Sequence, residues 1–134
     1  MADSPDQPRG TLALRTLAMP KDTNPAGDIF GGWLMSQMDI AAGITAGEYA
    51  QGRVATVAVE GMVFHKPVYV GDVVCCYTDV TGVGTTSITM MLEVYVLRAG
   101  LPGQRIKVTQ AQFTFVALDA QGRKRPVQAL PLKA

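Results

Sequence analysis

Charge is scarce in this sequence: only 17% of its 134 residues are charged, and the formal net charge is +1. Soluble domains usually carry about 25% charged residues. A small protein with so little charge has less surface to present to water, so we expect further copies of the chain to cover part of it. Apart from the run Arg123-Lys124-Arg125, the basic residues are scattered. The basic face that nucleic-acid binding requires is therefore missing.

Cysteine and long apolar runs are also rare. Cys75 and Cys76 are adjacent on a predicted strand, where successive side chains point to opposite faces, so they are poorly placed for a disulfide. The lack of a disulfide framework suits a reducing compartment. No run of about 18 apolar residues is present to span a membrane, and the polar residues 1–10 do not resemble a signal peptide. We therefore expect a cytoplasmic protein with no membrane span.

What the sequence does contain is the pattern of one α+β domain. Residues 31 to about 50 form the one long helical segment, and β-branched, alternating segments indicate strands. Short connections favour antiparallel neighbours, and a single helix must bury its apolar surface against the sheet. We expect an antiparallel sheet wrapped around one long central helix. The predicted parts are a flexible N-terminal tail over 1–10, the domain over 11–122, a C-terminal tail over 123–134, and strands over 11–18, 54–64, 73–80, 87–97 and 106–118.

The predicted helix contains one charged residue between positions 31 and 47, Asp39. A helix that is apolar nearly all round is a buried helix, and a buried carboxylate needs a partner or titrates upward. At 100° per residue, Asp39 shares a narrow stripe with Gly32, Ser36 and Gly43, which lets a slim ligand approach. Perturbed buried carboxylates cluster at functional sites, so Asp39 is the main catalytic candidate. Two alternatives stay open: a structural partner for Asp39, and a stripe that serves only packing.

The loop before the helix is dense in turn residues. Asn24 is suited to an Asx-turn. Gly31 and Gly32 begin the helix without side chains, which leaves the first helical amides open to a ligand oxygen. Helix N-termini bind anions through such amides, and stabilising a developing oxyanion is worth roughly 3–4 kcal/mol per donor. We therefore predict a substrate-binding role for Gly31 and an oxyanion-stabilising role for Gly32, with Ser36 as a weaker candidate beside them.

The residues around these positions resemble the bacterial YciA-type acyl-CoA thioesterases. The similarity covers roughly residues 11–125, and the spacing of Asn24, Gly27, Gly31-Gly32 and Asp39 is far more specific than an isolated glycine motif. The resemblance implies a hotdog fold, pairing into dimers, assembly as a trimer of dimers (a hexamer), and active sites at subunit interfaces. It also implies hydrolysis of acyl-CoA to a free acid and CoA without a metal or organic cofactor. It places the family's catalytic aspartate on Asp39 and its loop asparagine on Asn24.

On this interpretation Asp39 acts either as a general base on water or as a nucleophile that forms a mixed anhydride. Asn24 orients the water or the carbonyl. Phosphates of CoA are held by Lys and Arg, and hairpin amides and hydroxyls can assist. Each of these residues also has an ordinary alternative, as a solvated charge or as part of a simple turn. The substrate-binding candidates are Arg53, Lys66, Gly84, Thr85, Ser87, Arg123 and Arg125.

Two other functions compete with hydrolysis. A hydroxyacyl dehydratase of the same fold usually needs a His–acid pair, whereas this helix supplies Asp39 without a histidine. The single histidine, His65, has no predicted acid partner and is interpreted as structural or peripheral. A non-catalytic acyl-CoA-binding module would use the same cleft, although a buried carboxylate contributes little to binding a neutral acyl chain.

Overall fold

A computed structural model describes residues 7–127, in which a five-stranded antiparallel sheet wraps around one helix. The predicted tails therefore lie partly outside the described residues. Within the described range, no helix is both long enough and apolar enough to cross a membrane. The elements in chain order are β1 Thr11–Leu17, a short 3-10 helix Pro20–Asp22, α1 Gly31–Ala50, β2 Val54–Phe64, β3 Val73–Val83, β4 Ser87–Leu97 and β5 Arg105–Ala117.

The predicted elements are confirmed with small shifts at their ends. β3 runs three residues further than expected because a register shift between Val80 and Gly82 lets Val83 still pair with Ile88. The 3-10 helix was expected to be irregular loop. The core lies between α1 and the inner rows of β4 and β5. The helix contributes mostly small side chains to it, which bring the sheet close: Leu34, Met38, Ala41, Ala42, Ala46 and Ala50.

The strand order is β1-β3-β4-β5-β2, which contradicts one expectation. The short connection between β2 and β3 does not join neighbours, because β2 pairs only with β5 at the sheet edge. Residues 65–72, here called the crossing loop, carry the chain past the ends of β5 and β4. Three strand spacings amount to about 14 Å, which eight residues can span. The loop passes the start of α1, where the amide of Ile29 donates to the carbonyl of Val68 at 3.3 Å.

The prediction that α1 is buried all round is wrong for the single chain. The sheet covers one side of the helix, and the other side exposes Met35, Ile40 and Ile44 by 40–50%. Asp39 lies on this uncovered side and is exposed as well. The edge strand β2 adds Val57 and Val63 to the exposed apolar surface. Among residues 7–127, the sheet covers one side of the helix and no other helix or strand covers the opposite side.

Candidate functional site

Asp39 lies midway along α1 and is held by the edge strand. The hydroxyl of Thr56 in β2 donates a 2.6 Å hydrogen bond to Oδ1 of Asp39. Oδ2 of Asp39 forms no hydrogen bond or ion pair to any residue between positions 7 and 127. Asp39 and Thr56 line an open cavity of about 300 Å³ together with Met35, Ser36 and Phe113. The carboxylate is thus oriented through one oxygen and free at the other.

Thr56 was missed by sequence analysis. It stands in a run of strand residues, where threonine is common for its branched side chain alone, so nothing local marks it. Ser36 does line the Asp39 cavity, but its hydroxyl donates to the carbonyl of Trp33 at 2.6 Å, an ordinary bond for a helical serine. A Cβ added to Gly43 would lie 3.8 Å from the ring of Phe115, an ordinary contact, so tight packing does not require that glycine.

Asn24 organises the loop that leads into α1. Its Oδ1 accepts hydrogen bonds from the amides of Ala26 at 2.9 Å and Asp28 at 3.1 Å, which forms the expected Asx-turn. Its backbone amide donates to the carbonyl of Asp28 at 2.7 Å. An asparagine amide has two further donors on Nδ2. Within the described part of the chain these donors have no partner, so they are available to a ligand oxygen.

The start of α1 opens onto a cavity of about 380 Å³. The N-cap residue, Phe30, makes no side-chain hydrogen bond to the first helical amides. A Cβ on Gly32 would meet nothing within 4 Å, whereas one on Gly31 would lie 3.4 Å from the ring of Phe64. The cavity walls are mainly apolar, and Lys66 is part of the lining. Gly31 lines this cavity and Gly32 does not, so the oxyanion role of the Gly32 amide stays a prediction.

The helix start and the carboxylate are separated along the same helix. Gly32 and Asp39 are seven residues apart, which corresponds to about 10 Å at 1.5 Å per residue. A single carbonyl group is too small to meet the amide of Gly32 and the carboxylate of Asp39 in one chain. Each chain therefore carries two separate halves of the predicted chemistry.

The predicted CoA-binding residues fall at two opposite ends of the molecule. Lys66 lies beside the start of α1. The remaining candidates lie at the far end, near the end of α1, where three chain segments meet. The backbone hydrogen bonds that join these segments run from Leu118 to the carbonyl of Arg53, from Arg125 to that of Ala117, and from Val127 to that of Thr85.

Arg125 is engaged with the backbone. Its Nη2 donates to the carbonyl of Ala50 at 2.7 Å, and its Nε donates to the carbonyl of Leu118 at 3.0 Å. These bonds satisfy the end of α1 and tie residues 123–127 to the domain, although the sequence places those residues in a tail. Arg53 and Arg123 are exposed and form no ion pair with residues of the described range, so their guanidinium groups are free.

The turn between β3 and β4 has mainly structural contacts. The amide of Gly84, a predicted CoA contact, donates to the carbonyl of Ser87 at 2.8 Å. The carbonyl of Thr85 accepts the amide of Val127. The hairpin interpretation accounts for these bonds, and the two hydroxyls of Thr85 and Ser87 are the groups left to contact a ligand.

The remaining reactive side chains do not form a second centre. Among residues 7–127, no three His, Cys, Asp or Glu side chains are grouped so that they could hold a metal ion. His65 lies in the lining of the helix-start cavity, and its amide donates to the carbonyl of Val108. Both cysteines are free and buried. Burial raises the pKa of the Cys76 thiol to about 12, so this thiol is protonated at neutral pH.

Comparison with known proteins identifies the family of this chain. Residues 26–102 match the Thioesterase superfamily. The acyl-CoA thioester hydrolase YciA of Salmonella typhimurium is 58% identical over 129 residues, which cover 95% of this chain and 97% of that one. The structure of a hexameric broad specificity acyl-coenzyme A thioesterase, solved as an aspartate-to-alanine mutant, aligns with a TM-score of 0.86 at 57% identity. That alignment covers 90% of this chain and 88% of the other.

A more distant acyl-CoA hydrolase, from Staphylococcus aureus, has been solved as an asparagine-to-alanine mutant in complex with coenzyme A. It aligns with a TM-score of 0.81 at 28% identity and covers 88% of this chain and 70% of that one. An aspartate-to-alanine mutant of the same enzyme has also been solved. The two substituted residues are 15 positions apart in that enzyme, which is also the separation of Asn24 and Asp39. The present chain belongs to the Thioesterase superfamily, as a hotdog-fold member of the YciA-type acyl-CoA thioester hydrolases.

Proposed function

We propose that this protein hydrolyses acyl-CoA thioesters to a free carboxylic acid and CoA, with Asp39 as the catalytic carboxylate. The observation that carries the proposal is the arrangement of Asp39, which lines an open cavity and is held by Thr56 through Oδ1, while Oδ2 has no partner among residues 7–127. As a general base, Asp39 takes a proton from water as the water oxygen bonds to the thioester carbon. The C–S bond then breaks, and the proton passes from Asp39 to the departing CoA sulfur.

A nucleophilic route uses the same residues. Oδ2 of Asp39 attacks the thioester carbon, CoA leaves as the thiol after taking a proton from water, and the remaining hydroxide hydrolyses the mixed anhydride. Neither route requires a metal or an organic cofactor. In both, negative charge develops on the carbonyl oxygen and needs hydrogen-bond donors.

We assign the oxyanion donors to the helix-start amide of Gly32 and to Nδ2 of Asn24. Both donors belong to a second copy of the chain, and Asp39 belongs to the first. The separation of about 10 Å between Gly32 and Asp39 excludes a site built from both groups of one chain. The free Nδ2 of Asn24 supports its role as a donor. The asparagine and aspartate substituted in the Staphylococcus aureus enzyme support the pairing of these two residue types.

The same argument makes assembly part of the function. The exposed apolar side of α1 and the edge strand β2 form a continuous surface that a second copy of the chain can cover. Covering this surface gives a dimer. A trimer of dimers is supported by the hexameric thioesterase that the chain resembles. For the phosphates of CoA, the exposed Arg53 and Arg123 are the proposed contacts at one end, and Lys66 is the contact at the other. A cytoplasmic location stays a prediction.

The assembly is tested with a charge on the sheet edge. Val63 in β2 is 58% exposed, and Val83 at the end of β3 is 48% exposed, so Val83→Lys is a matched control. We expect Val63→Lys to reduce the molecular mass measured by light scattering and to abolish turnover, because burying an unpaired charge is strongly unfavourable. Val83→Lys should leave both unchanged. An intact, active Val63→Lys assembly would contradict an interface at β2.

The reaction is tested by measuring free-thiol release from short to long acyl-CoAs for the wild type, Asp39→Asn and Asp39→Ala. Loss of the proposed base lowers kcat by about 10²–10⁴-fold. Because Asp39 is exposed and makes one hydrogen bond, both variants should remain folded. Full turnover by folded Asp39→Asn would refute the assignment. Tight CoA binding by a wild type that releases no thiol would instead indicate an acyl-CoA-binding module.

A further inference from the structure

One arginine holds the crossing loop in place. Arg98 follows directly after the end of β4, and its guanidinium makes two parallel hydrogen bonds to Asp72. Nε donates to Oδ1 at 3.0 Å, and Nη2 donates to Oδ2 at 2.8 Å. The same Nη2 donates to the carbonyl of Pro67 at 3.2 Å. A planar guanidinium is suited to such bidentate binding, and a lysine ammonium is not.

Asp72 ties the other end of the loop to the same guanidinium. Its side chain is buried, with a residue exposure of 1%, and its Oδ2 also accepts the amide of Tyr69 at 2.9 Å. The guanidinium carbon of Arg98 lies 4.7 Å from the centre of the Tyr69 ring, within the range of a cation–π contact. The segment from Pro67 to Asp72 is thereby fixed to the end of β4 by three separate contacts.

The fixed segment is one wall of the helix-start cavity. Pro67 and Val68 line this cavity opposite Gly31 and Leu34, whereas Arg98 and Asp72 do not line it. The amide of Ile29 donates to the carbonyl of Val68, so the loop also contacts the segment that enters α1. A shift of the loop would therefore change the width of the cavity at the first helical amides.

We propose that Arg98 and Asp72 are positioning residues that set the distance between the Pro67–Val68 wall and the start of α1, and thereby the affinity for the acyl-CoA thioester. The proposal rests on the proposed function, in which the thioester carbonyl lies at the helix start. Neither residue touches the substrate. They act through the Pro67 carbonyl and the Tyr69 amide, which belong to the loop that forms the cavity wall.

The sharpest test is Arg98→Lys, which keeps the positive charge and removes the bidentate geometry and the bond to Pro67. We expect KM for acyl-CoA to rise by about tenfold while kcat changes by less than about twofold, because the loss affects binding and not the reacting groups. Arg98→Met should show the same change in KM or a larger one. Melting temperature and molecular mass are measured for each variant in parallel.

Lys107→Met is the matched control. Lys107 and Glu93 form an ion pair of 3.3 Å with side chains 33% and 8% exposed, against 25% and 2% for Arg98 and Asp72. Neither Lys107 nor Glu93 lines the helix-start cavity. Lys107→Met should lower the melting temperature and leave KM unchanged. If the Arg98 variants likewise lower only the melting temperature, the pair is purely structural and the proposal is overturned.

Binding measurements separate this proposal from the proposed function. Calorimetric titration with butyryl-CoA in the Asp39→Ala background gives Kd without turnover, and adding Arg98→Lys should raise that Kd by about tenfold. If the wild type binds but does not hydrolyse, the proposed function fails while the effect of Arg98 on Kd is still measured. If Kd is unchanged by Arg98→Lys, or if neither protein binds butyryl-CoA, the positioning role is refuted.

Discussion

The hydroxyl of Thr56 lies 2.6 Å from Oδ1 of Asp39 and joins the edge strand of the sheet to the middle of the central helix. The two residues are 17 positions apart in the sequence, so the contact exists only in the folded chain. Hydrogen bonding to one oxygen restricts rotation of the carboxylate and leaves the other oxygen without a partner among the described residues. On the proposed function, the edge strand therefore helps to orient the catalytic carboxylate.

Replacing Thr56 with Val, a residue of the same shape without the hydroxyl, should lower kcat about tenfold, because the carboxylate loses the bond that orients it. Thr56→Ser keeps the hydroxyl and should retain most of the activity. Steady-state kinetics of the two variants and the wild type give the comparison. Equal kcat values for Thr56→Val and the wild type would show that Asp39 needs no such partner.

Gly32→Ala should separate folding from function. A Cβ at Gly32 meets no atom of the described chain within 4 Å, so we expect the melting temperature to be unchanged or slightly raised. The methyl group would occupy the approach of the thioester oxygen to the helix-start amides, and kcat/KM should fall by about 10²-fold. Gly82→Ala, which also meets no atom within 4 Å, is the control and should be fully active. If Gly32→Ala has the kinetics of the wild type, the oxyanion site does not lie at the helix start.

Arg125 and Arg123 should respond in opposite ways when replaced by Met. Arg125→Met removes the hydrogen bonds that the charged guanidinium donates to the carbonyls of Ala50 and Leu118. This loss should reduce the free energy of unfolding by about 1.5–3 kcal/mol. Arg123→Met should leave stability unchanged and raise KM for acyl-CoA by weakening phosphate binding. Urea denaturation and kinetics distinguish the two. Stability loss in Arg123→Met with an unchanged KM would exclude it as a phosphate contact.

Cys76 predicts a dependence of stability on alkaline pH. Burial raises the pKa of this thiol from its ordinary value of 9.0 to about 12 in the folded chain. The folded state thus favours the protonated thiol, and this contribution to stability is complete below about pH 9 and is lost as the pH rises toward 12. We expect the free energy of unfolding to fall more steeply between pH 9 and 11 for the wild type than for Cys76→Ala. If the free energy of unfolding falls equally with pH in the wild type and in Cys76→Ala, the thiol does not contribute to the pH dependence of stability.

Most of the secondary structure could be predicted because the helical segment and the strands differ clearly in their sequence patterns. Residues 31–50 contain only two charged residues, Asp39 and Glu48, and no long β-branched run, whereas 87–97 alternate along almost their whole length. Both elements were placed correctly. The strand order could not be predicted from loop length, because the crossing loop is long enough to pass two strands. Its course is held by the contacts of Arg98 with Asp72 and Pro67 and by backbone hydrogen bonds of Gly71 and Asp72 with Ala18. No local sequence pattern connects these residues.

The sequence predicted which residues form the candidate site, but it did not predict which of them are exposed or what they contact. Asp39 stood out as the one charge between positions 31 and 47 of an apolar helix, but the apolar composition was interpreted as burial within the chain. In the folded chain that composition belongs to two different faces, one against the sheet and one left open. Arg125 looked like a phosphate contact because its cluster is basic, whereas its partners are backbone carbonyls that a sequence does not reveal.

The carboxylate is carried by the middle of a 20-residue helix, whose buried row fixes it against the core. The wall opposite the helix start belongs to a surface loop that is fastened from outside the cavity. On the proposal made for Arg98 and Asp72, substitutions in that loop alter what is bound while the reacting group keeps its place. A fold arranged in this way can acquire new substrates by small steps, since changes in specificity do not have to pass through inactive forms.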